Sequence, residues 1–289
     1  MTPIDKLKEV SAFLGSKGIE DAVKEAEMLI TEALHISKSE FYSGDLEISD
    51  ETSKHIDSLA ERRAHGEPIQ YIIGYVDFYG LKINVGKGVL IPRPETELLV
   101  EEAIKQLKRF TVHGPRFTVL DLCTGSGCIA LALAKHLPQS IVYGVDRSEA
   151  AMVYATQNVI GNSIKNVHFK IGDLFEPVRN MKFDCIVSNP PYIKRSEIKT
   201  LQKEVRNYEP IEALDGGQDG LDFYRRIFRK SPEFLKKDAV VILELGYDQA
   251  DDIKEIARGA GFKELRFIED YAGIHRIAVG KFDMIKDAC

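Results

Sequence analysis

Apolar side chains along this chain recur first with helical spacing, then with strand spacing, and finally in blocks that alternate between the two. Thr2-Pro3-Ile4-Asp5 reads as an N-cap, a proline at the first helical position and an acid in the first turn. Leu7, Val10, Phe13 and Leu14 then share one helical face, and Gly15 predicts a stop. A second helix is predicted from near Ile19, carrying Val23, Ala26, Leu29, Ile30 and Leu34. A third is predicted from about Asp50 to Ala64, with Ile56 and Leu59 inward. Short amphipathic helices are stable only when packed together, so residues 1–74 read as a small helical domain ending near Gly74. Residues 75–91 change period: Phe78 to Val85 alternates and Gly80, Gly86 and Gly88 punctuate it, which predicts a hairpin connector. Pro94, Glu95 and Glu97 suit the first turn of a helix running through Leu98, Leu99, Ala103 and Leu107.

From residue 92 to 289 strand-length apolar runs alternate with helical segments: Phe117–Cys123, Ser140–Asp146, Val167–Ile171, Phe183–Ser188 and Ala239–Leu245. That order predicts an α/β fold with a doubly wound, mostly parallel sheet. Two further runs, Glu264–Ile268 and Ile274–Val279, lie close enough to form an antiparallel hairpin at the sheet edge. The length of 289 residues suits a small domain plus a medium one.

Composition narrows the function. The net charge of -6 argues against a chain built to clamp a nucleic-acid backbone, so no direct nucleic-acid binding is expected. No apolar run is long enough to cross a bilayer, and MTPIDKLKEV has no apolar signal core. Cys123, Cys128, Cys185 and Cys289 show no paired metal-ligand spacing, so no metal site is expected. Cys123 and Cys128 read as small buried residues. The expected setting is a reducing cytoplasm.

Two stretches carry chemistry. Val119 to Ala130 reads as strand, glycine turn and helix start, with Cys123, Thr124, Gly125, Ser126 and Gly127 in the turn. Backbone N–H groups there are placed to face a ligand. Asp146 closes the next strand, where a carboxylate can bind both ribose hydroxyls. Loop and acid together predict an adenosine-containing ligand, with NAD and S-adenosylmethionine both open. Asp121 favours the second, since an acid there suits an ammonium and repels a pyrophosphate. Asp173 is placed to accept from an adenine amino group and Leu174 to cover the ring.

The second stretch is Asn189-Pro190-Pro191-Tyr192, at the end of the fourth strand of the parallel block. Two prolines end a strand, since neither donates a backbone hydrogen bond. At the switch point of a doubly wound sheet these residues should face the cofactor loop. A planar NH2 group is a poor nucleophile because its lone pair is delocalised. Two acceptors, the Asn189 side-chain oxygen and the Pro190 carbonyl, would hold its two N–H bonds and favour pyramidalisation. Tyr192 would stack on the planar group and turn its ring face to a sulfonium. This is catalysis by positioning and preorganised electrostatics, with Asn189, Pro190 and Tyr192 as the catalytic set and Asn189 to Tyr192 holding substrate.

The Asn-Pro-Pro-Tyr motif belongs both to adenine-N6 DNA methyltransferases and to protein glutamine methyltransferases. Further motifs are Glu67-Pro68-Ile69-Gln70-Tyr71-Ile72-Ile73-Gly74, Gly88 through Ile91-Pro92-Arg93-Pro94-Glu95-Thr96-Glu97, and Glu209-Pro210 through Asp215-Gly216-Gly217 to Asp219-Gly220-Leu221. With these the chain resembles, over nearly its whole length, the peptide chain release factor glutamine N5-methyltransferases. Ile91–Glu97 is the most specific stretch. A related family that modifies a ribosomal protein departs after Pro92-Arg93. The resemblance implies a class I methyltransferase fold with an N-terminal helical substrate-recognition domain. It implies S-adenosylmethionine as donor and S-adenosylhomocysteine as product. The implied partner is a class 1 peptide chain release factor, methylated on the glutamine of its Gly-Gly-Gln motif in translation termination. Cys123 to Gly127, Asp146, Leu174 and Asn189 would contact the donor and Asn189 to Tyr192 the glutamine. The family often has Gly at the position of Cys123, where little effect is expected, and sometimes an aromatic ring at that of Leu174, so weaker adenine packing is expected. The chain's own Gly216-Gly217-Gln218 is expected to be coincidental, since the family pattern has two glycines there and a variable next residue. Alternatives are an adenine-N6 nucleic-acid methyltransferase, a glutamine methyltransferase of a ribosomal protein, and a catalytically silent adenosine-ligand module.

Overall fold

The computed structural model describes residues 1–43, 46–108 and 117–282; Cys289 lies outside them. The chain forms two compact units. One comprises residues 1–75 together with 202–208, the other residues 76–201 and the chain from 209 onward.

In the first unit α1 (Pro3–Ser16) is capped by Thr2, whose hydroxyl accepts from the Asp5 N–H at 3.2 Å. The helix runs past Gly15, and the left-handed turn falls at Gly18 instead, with φ at 84°. It is followed by α2 (Ala22–Leu34), α3 (Lys38–Tyr42), α4 (Asp50–Ala64) and α5 (Ile69–Ile73). Hydrophobic spacing does not announce α3 and α5, each five residues long. A capping box between Ser37 and Glu40 starts α3 and delivers Phe41 into the core beside Val10, Leu14, Leu29, Ile30 and Ile56. Residues 202–208 join through charge. Arg63, only 6% exposed, is held by Glu25 at 2.6 Å and Glu204 at 3.2 Å.

The second unit begins with a two-stranded sheet, β1 (Tyr75–Phe78) and β2 (Leu81–Asn84), then α6 (Thr96–Lys108). The alternating block follows as β3 (Thr118–Leu122), α7 (Cys128–His136), β4 (Ile141–Asp146), α8 (Glu149–Gly161), β5 (Val167–Ile171) and β6 (Phe183–Ser188). After α9 (Lys203–Tyr208) come α10 (Asp222–Lys230), β7 (Leu235–Glu244), α11 (Ala250–Gly259), β8 (Glu264–Glu269) and β9 (His275–Lys281). The seven-stranded sheet runs β5-β4-β3-β6-β7-β9-β8, parallel through β7, with β9 antiparallel to both its neighbours. It is the α/β doubly wound arrangement that the alternation predicts, with an antiparallel C-terminal pair.

Strand β7 starts four residues before the apolar run that signals it. Lys236, Lys237 and Asp238 hide its start, and Asp238 sits at φ 64° where the β6–β7 register slips between Phe183 and Cys185. Val119, Leu120, Leu122, Ile186, Val187, Val241 and Leu243 are all buried, as a sheet covered on both faces requires. Strand β3 pairs with β4 on one side and β6 on the other, with Leu122 level with Ser188. The chain therefore leaves β3 and β6 at the same sheet end, and residues 123–127 and 189–192 emerge side by side. Among the described residues no helix is long and apolar enough to cross a membrane.

Candidate active site

At that sheet end lies a cavity of about 370 Å³, within the range of about 300–1,000 Å³ typical of small-molecule sites. Its floor is the turn after β3. Gly127 opens α7 at φ 79°, and a Cβ there would stand 2.7 Å from the Phe169 ring, so only glycine makes the turn. Cys123, Thr124, Gly125 and Ser126 line the cavity, as do Asp146, Asp173, Leu174, Asn189 and Pro191. Asp121, Gly127, Pro190 and Tyr192 do not.

Asp121 works from behind the loop. It is fully buried, and its Oδ2 accepts from the Thr124 hydroxyl at 2.5 Å and the Ala130 N–H at 3.2 Å. Its Oδ1 has no donor among the described residues. Burial pushes the carboxyl up to about 7, with Thr124 and Ala130 opposing the rise. Asp146 spans two turns: Oδ2 accepts from Gly125 N–H and Oδ1 from Ser148 N–H, both at 2.9 Å. Its pKa is raised by burial, against those two bonds and the charge of Arg147. Asp173 forms an ion pair with Arg226, which aims its carboxylate without closing it to a ligand. Burial drives the thiol pKa of Cys128 up to about 12 and that of Cys123 higher still, so neither is a thiolate nucleophile.

Cys123 and Leu174 are the cavity's two non-glycine residues in the left-handed region, at φ 57° and 47°. The positive φ of Cys123 bears on the expectation that cysteine has little effect there. The conformation costs an L-residue about 1–2 kcal/mol, against about 0.5–1 kcal/mol of extra chain entropy lost by a glycine. Cys123→Gly is therefore expected to stabilise the fold by about 0.5 kcal/mol, read as a higher urea midpoint at unchanged slope. A lower midpoint would mean that thiol packing outweighs the strain.

The loop after β6 is fixed at several points. The Ser188 hydroxyl donates to the Leu122 carbonyl at 2.6 Å, tying β6 to β3 where both strands end. Asn189 turns its NH2 to the Thr96 hydroxyl at 3.1 Å, and among the described residues no donor meets its Oδ1 or the Pro190 carbonyl. Gln249 donates to the Tyr192 carbonyl at 2.9 Å, and the Tyr192 hydroxyl lies 3.5 Å from Glu244 Oε1. Burial and that carboxylate push the Tyr192 phenol well above its usual range, so it stays protonated. Ile193 exchanges backbone bonds with Leu214 and Gly216 at 2.9 Å each. A Cβ on Gly216 would meet the Tyr192 Cα and the Gly220 carbonyl at 2.8 Å. Gly216 is thus required by packing against the Tyr192 loop, Gly217 by its φ of 97° and the Asp222 side chain beside it, and Gln218 after them is exposed.

Residues 88–92 and 210–213 border the cavity, and one buried carboxylate joins the two segments. Glu209 accepts from Arg93 at 2.5 Å and from the Ile91 N–H at 3.1 Å. Roles for Glu209, Gln249, Glu244 and Thr96 are not evident from the sequence. Glu244 in particular sits at the end of an ordinary apolar run, and only its burial beside Tyr192 marks it.

Comparison with known proteins bears on the family and the fold. Residues 5–74 match the family described as PrmC N-terminal domain, and residues 96–207 match the Methyltransferase small domain. The chain is 46% identical to a release factor glutamine methyltransferase of Thermodesulfovibrio yellowstonii, over 96% of this chain and 98% of that one. It is 42% identical to one of Geobacter sulfurreducens, over 93% of each. A methyltransferase crystal structure from Pyrococcus furiosus superposes with a TM-score of 0.51 at 19% identity, over 71% of this chain and 90% of that one, and so shares the fold.

Proposed function

Since the chain belongs to the release factor glutamine methyltransferases, we propose that its cavity binds S-adenosylmethionine and that it methylates the Gly-Gly-Gln glutamine of class 1 release factors. The observation that carries this reading is the pair of oxygens with no donor, Asn189 Oδ1 and the Pro190 carbonyl, on one rigid loop at the cavity. Two acceptors on consecutive residues would suit the two N–H bonds of a primary amide.

The donor fits the residues present. Asp146 stands where ribose hydroxyls are bound, Leu174, Val145 and Ile129 give apolar lining, and Asp173 stands near for an amino group. A cation above the loop would favour the ionised form of Asp121, whose Oδ1 lacks a donor among the described residues. The donor supplies an electrophilic methyl group on a positively charged sulfur. The protein's part is orientation: Asn189 and Pro190 hold the amide nitrogen and direct its lone pair, and Tyr192 packs behind it. With the donor bound, its C–S bond would break as the C–N bond formed, leaving a neutral thioether, and the nitrogen held by Asn189 and Pro190 would give one proton to water.

The test is incubation with S-adenosylmethionine and an unmodified class 1 release factor, followed by peptide mass spectrometry. One methyl on the Gly-Gly-Gln glutamine is expected, and a methyl elsewhere or none would overturn the assignment. A short loop offers few contacts, so we assign the remaining recognition to the helical unit. Hydrogen exchange in residues 1–75 should slow when the release factor binds; unchanged exchange there would remove the unit from recognition.

A further inference from the structure

We propose that Gln249 is a positioning residue for methyl transfer: its side-chain amide clips together three loops and so sets where the Tyr192 ring stands. The kinetic consequence rests on the methyl transfer proposed above.

Gln249 occupies the N-cap position of α11 and is 3% exposed. Residues that favour this position turn a short polar side chain back to the helix N–H groups. Gln249 makes no such bond. Its amide points to the sheet end instead, and both ends of it are used. Oε1 accepts from the Gly246 N–H at 2.9 Å. Nε2 donates to the Tyr192 carbonyl at 2.9 Å and to the Gly220 carbonyl at 3.3 Å. These partners lie on the loops after β7, after β6 and before α10. They also fix which end of the amide is which. A reversed amide would set its oxygen against two carbonyl oxygens and its NH2 against an N–H.

The loops close on this amide because glycine stands at the contacts. A Cβ on Gly220 would lie 2.4 Å from the Tyr192 carbonyl oxygen and 2.7 Å from Gln249 Nε2. A Cβ on Gly246 would lie 2.8 Å from Gln249 Oε1 and 3.4 Å from Cδ2 of the Tyr192 ring. Gln249 therefore holds Tyr192 twice, directly by its carbonyl and indirectly by Gly246, the backbone that flanks the ring. The Tyr192 hydroxyl, 3.5 Å from Glu244 Oε1, is held too loosely to orient the ring itself. A further tie between the loops after β6 and β7, Lys194 to Asp248 at 2.7 Å, is partly exposed and weakened by water. The buried amide is thus the firm link. A ring that acts by packing behind a planar group depends on placement, and a shift of about 1 Å can cost about a hundredfold in rate.

Two variants break the clip in different ways. Gln249→Met keeps the length of the side chain and removes both hydrogen-bonding ends. Gly246→Ala keeps every hydrogen-bonding group and, at a residue without positive φ, adds a methyl that displaces the Gln249 amide. Each should lower kcat by about tenfold to a hundredfold with donor Kd unchanged. In a Tyr192→Ala background, where there is no ring to place, Gln249→Met should cost less than about twofold further. A scaffold role alone would give equal losses with and without the ring, and that result overturns the proposal. So does a loss under about twofold in the single variants, less than one hydrogen bond contributes. If Gln249→Met does not fold, Gly246→Ala decides, alone and beside Tyr192→Ala. A readout free of any substrate separates the clip from the assigned reaction. In protein carrying isotope-labelled tyrosine, the Tyr192 ring signal, identified by its loss in Tyr192→Phe, should shift and report greater ring motion in both variants. An unchanged signal overturns the positioning role whatever the enzyme methylates. A changed signal in a protein that leaves the Gly-Gly-Gln glutamine unmethylated supports the clip and overturns only the reaction.

Discussion

Asn189→Ala should lower kcat by about 10²–10³-fold while the donor Kd changes by less than about threefold. The magnitude comes from the work of the side chain. In the proposed reaction its Oδ1 would be one of two acceptors for a nitrogen whose N–H bonds become better donors as the nitrogen takes on positive charge in bonding to the methyl group, so the hydrogen bond would strengthen on the way to the transition state. It is also preorganised. Ser188 ties the end of β6 to Leu122, Thr96 fixes the amide from one side, and Pro190 and Pro191 stiffen the backbone leading to Tyr192. Alanine keeps the loop and removes only the acceptor. Donor affinity should survive because most of the residues proposed to hold the donor, Cys123 to Ser126, Asp146, Asp173 and Leu174, lie on other elements of the cavity wall. Single-turnover methylation gives the first quantity and calorimetric titration of the donor the second. Equal losses in both would reassign Asn189 from gripping the amide to holding the donor.

How far such roles can be read from sequence depends on where the interaction is recorded. Strands β4 and β6 and the turn after β3 follow from apolar runs and glycine spacing, because buried parallel strands write their burial directly into the chain, whereas the edge strand β5 is legible through the alternation of Val167, Phe169 and Ile171. Short helices escape: α3 depends on one capping box and one phenylalanine, too little for a periodic signal. The start of β7 escapes because Lys236 to Asp238 form an irregular, polar stretch within a strand. At the site, residues in one loop are legible as a motif, whereas long-range partners are not. Thr96 and Asn189 are 93 positions apart, Tyr192 and Glu244 are 52, and Ile91 and Glu209 are 118. Cys123 is a different case. Its size suggests an easy substitute for glycine, and its positive φ, which bears on that substitution, is displayed by no single sequence.

The Glu209 clasp gives the largest expected stability effect. Arg93→Ala should destabilise the protein by about 3 kcal/mol, well beyond the ~0–1 kcal/mol of an exposed ion pair. The asymmetry of burial sets this figure. Glu209 is 4% exposed and its side chain almost completely enclosed, whereas about a third of the Arg93 side chain reaches water. Removing the arginine strands a buried carboxylate with one backbone partner, the Ile91 N–H at 3.1 Å. Removing the charge as well should relieve the cost. Glu209→Gln in the Arg93→Ala background keeps an acceptor for Ile91 and leaves no ion to desolvate, so it should recover about 1 kcal/mol or more. Urea unfolding of the wild type, the single variant and the double variant measures both steps. A loss under about 1 kcal/mol for Arg93→Ala would mean that water already screens the pair. In that case residues 88–92 and 210–213 would be held at the cavity by packing, not by charge.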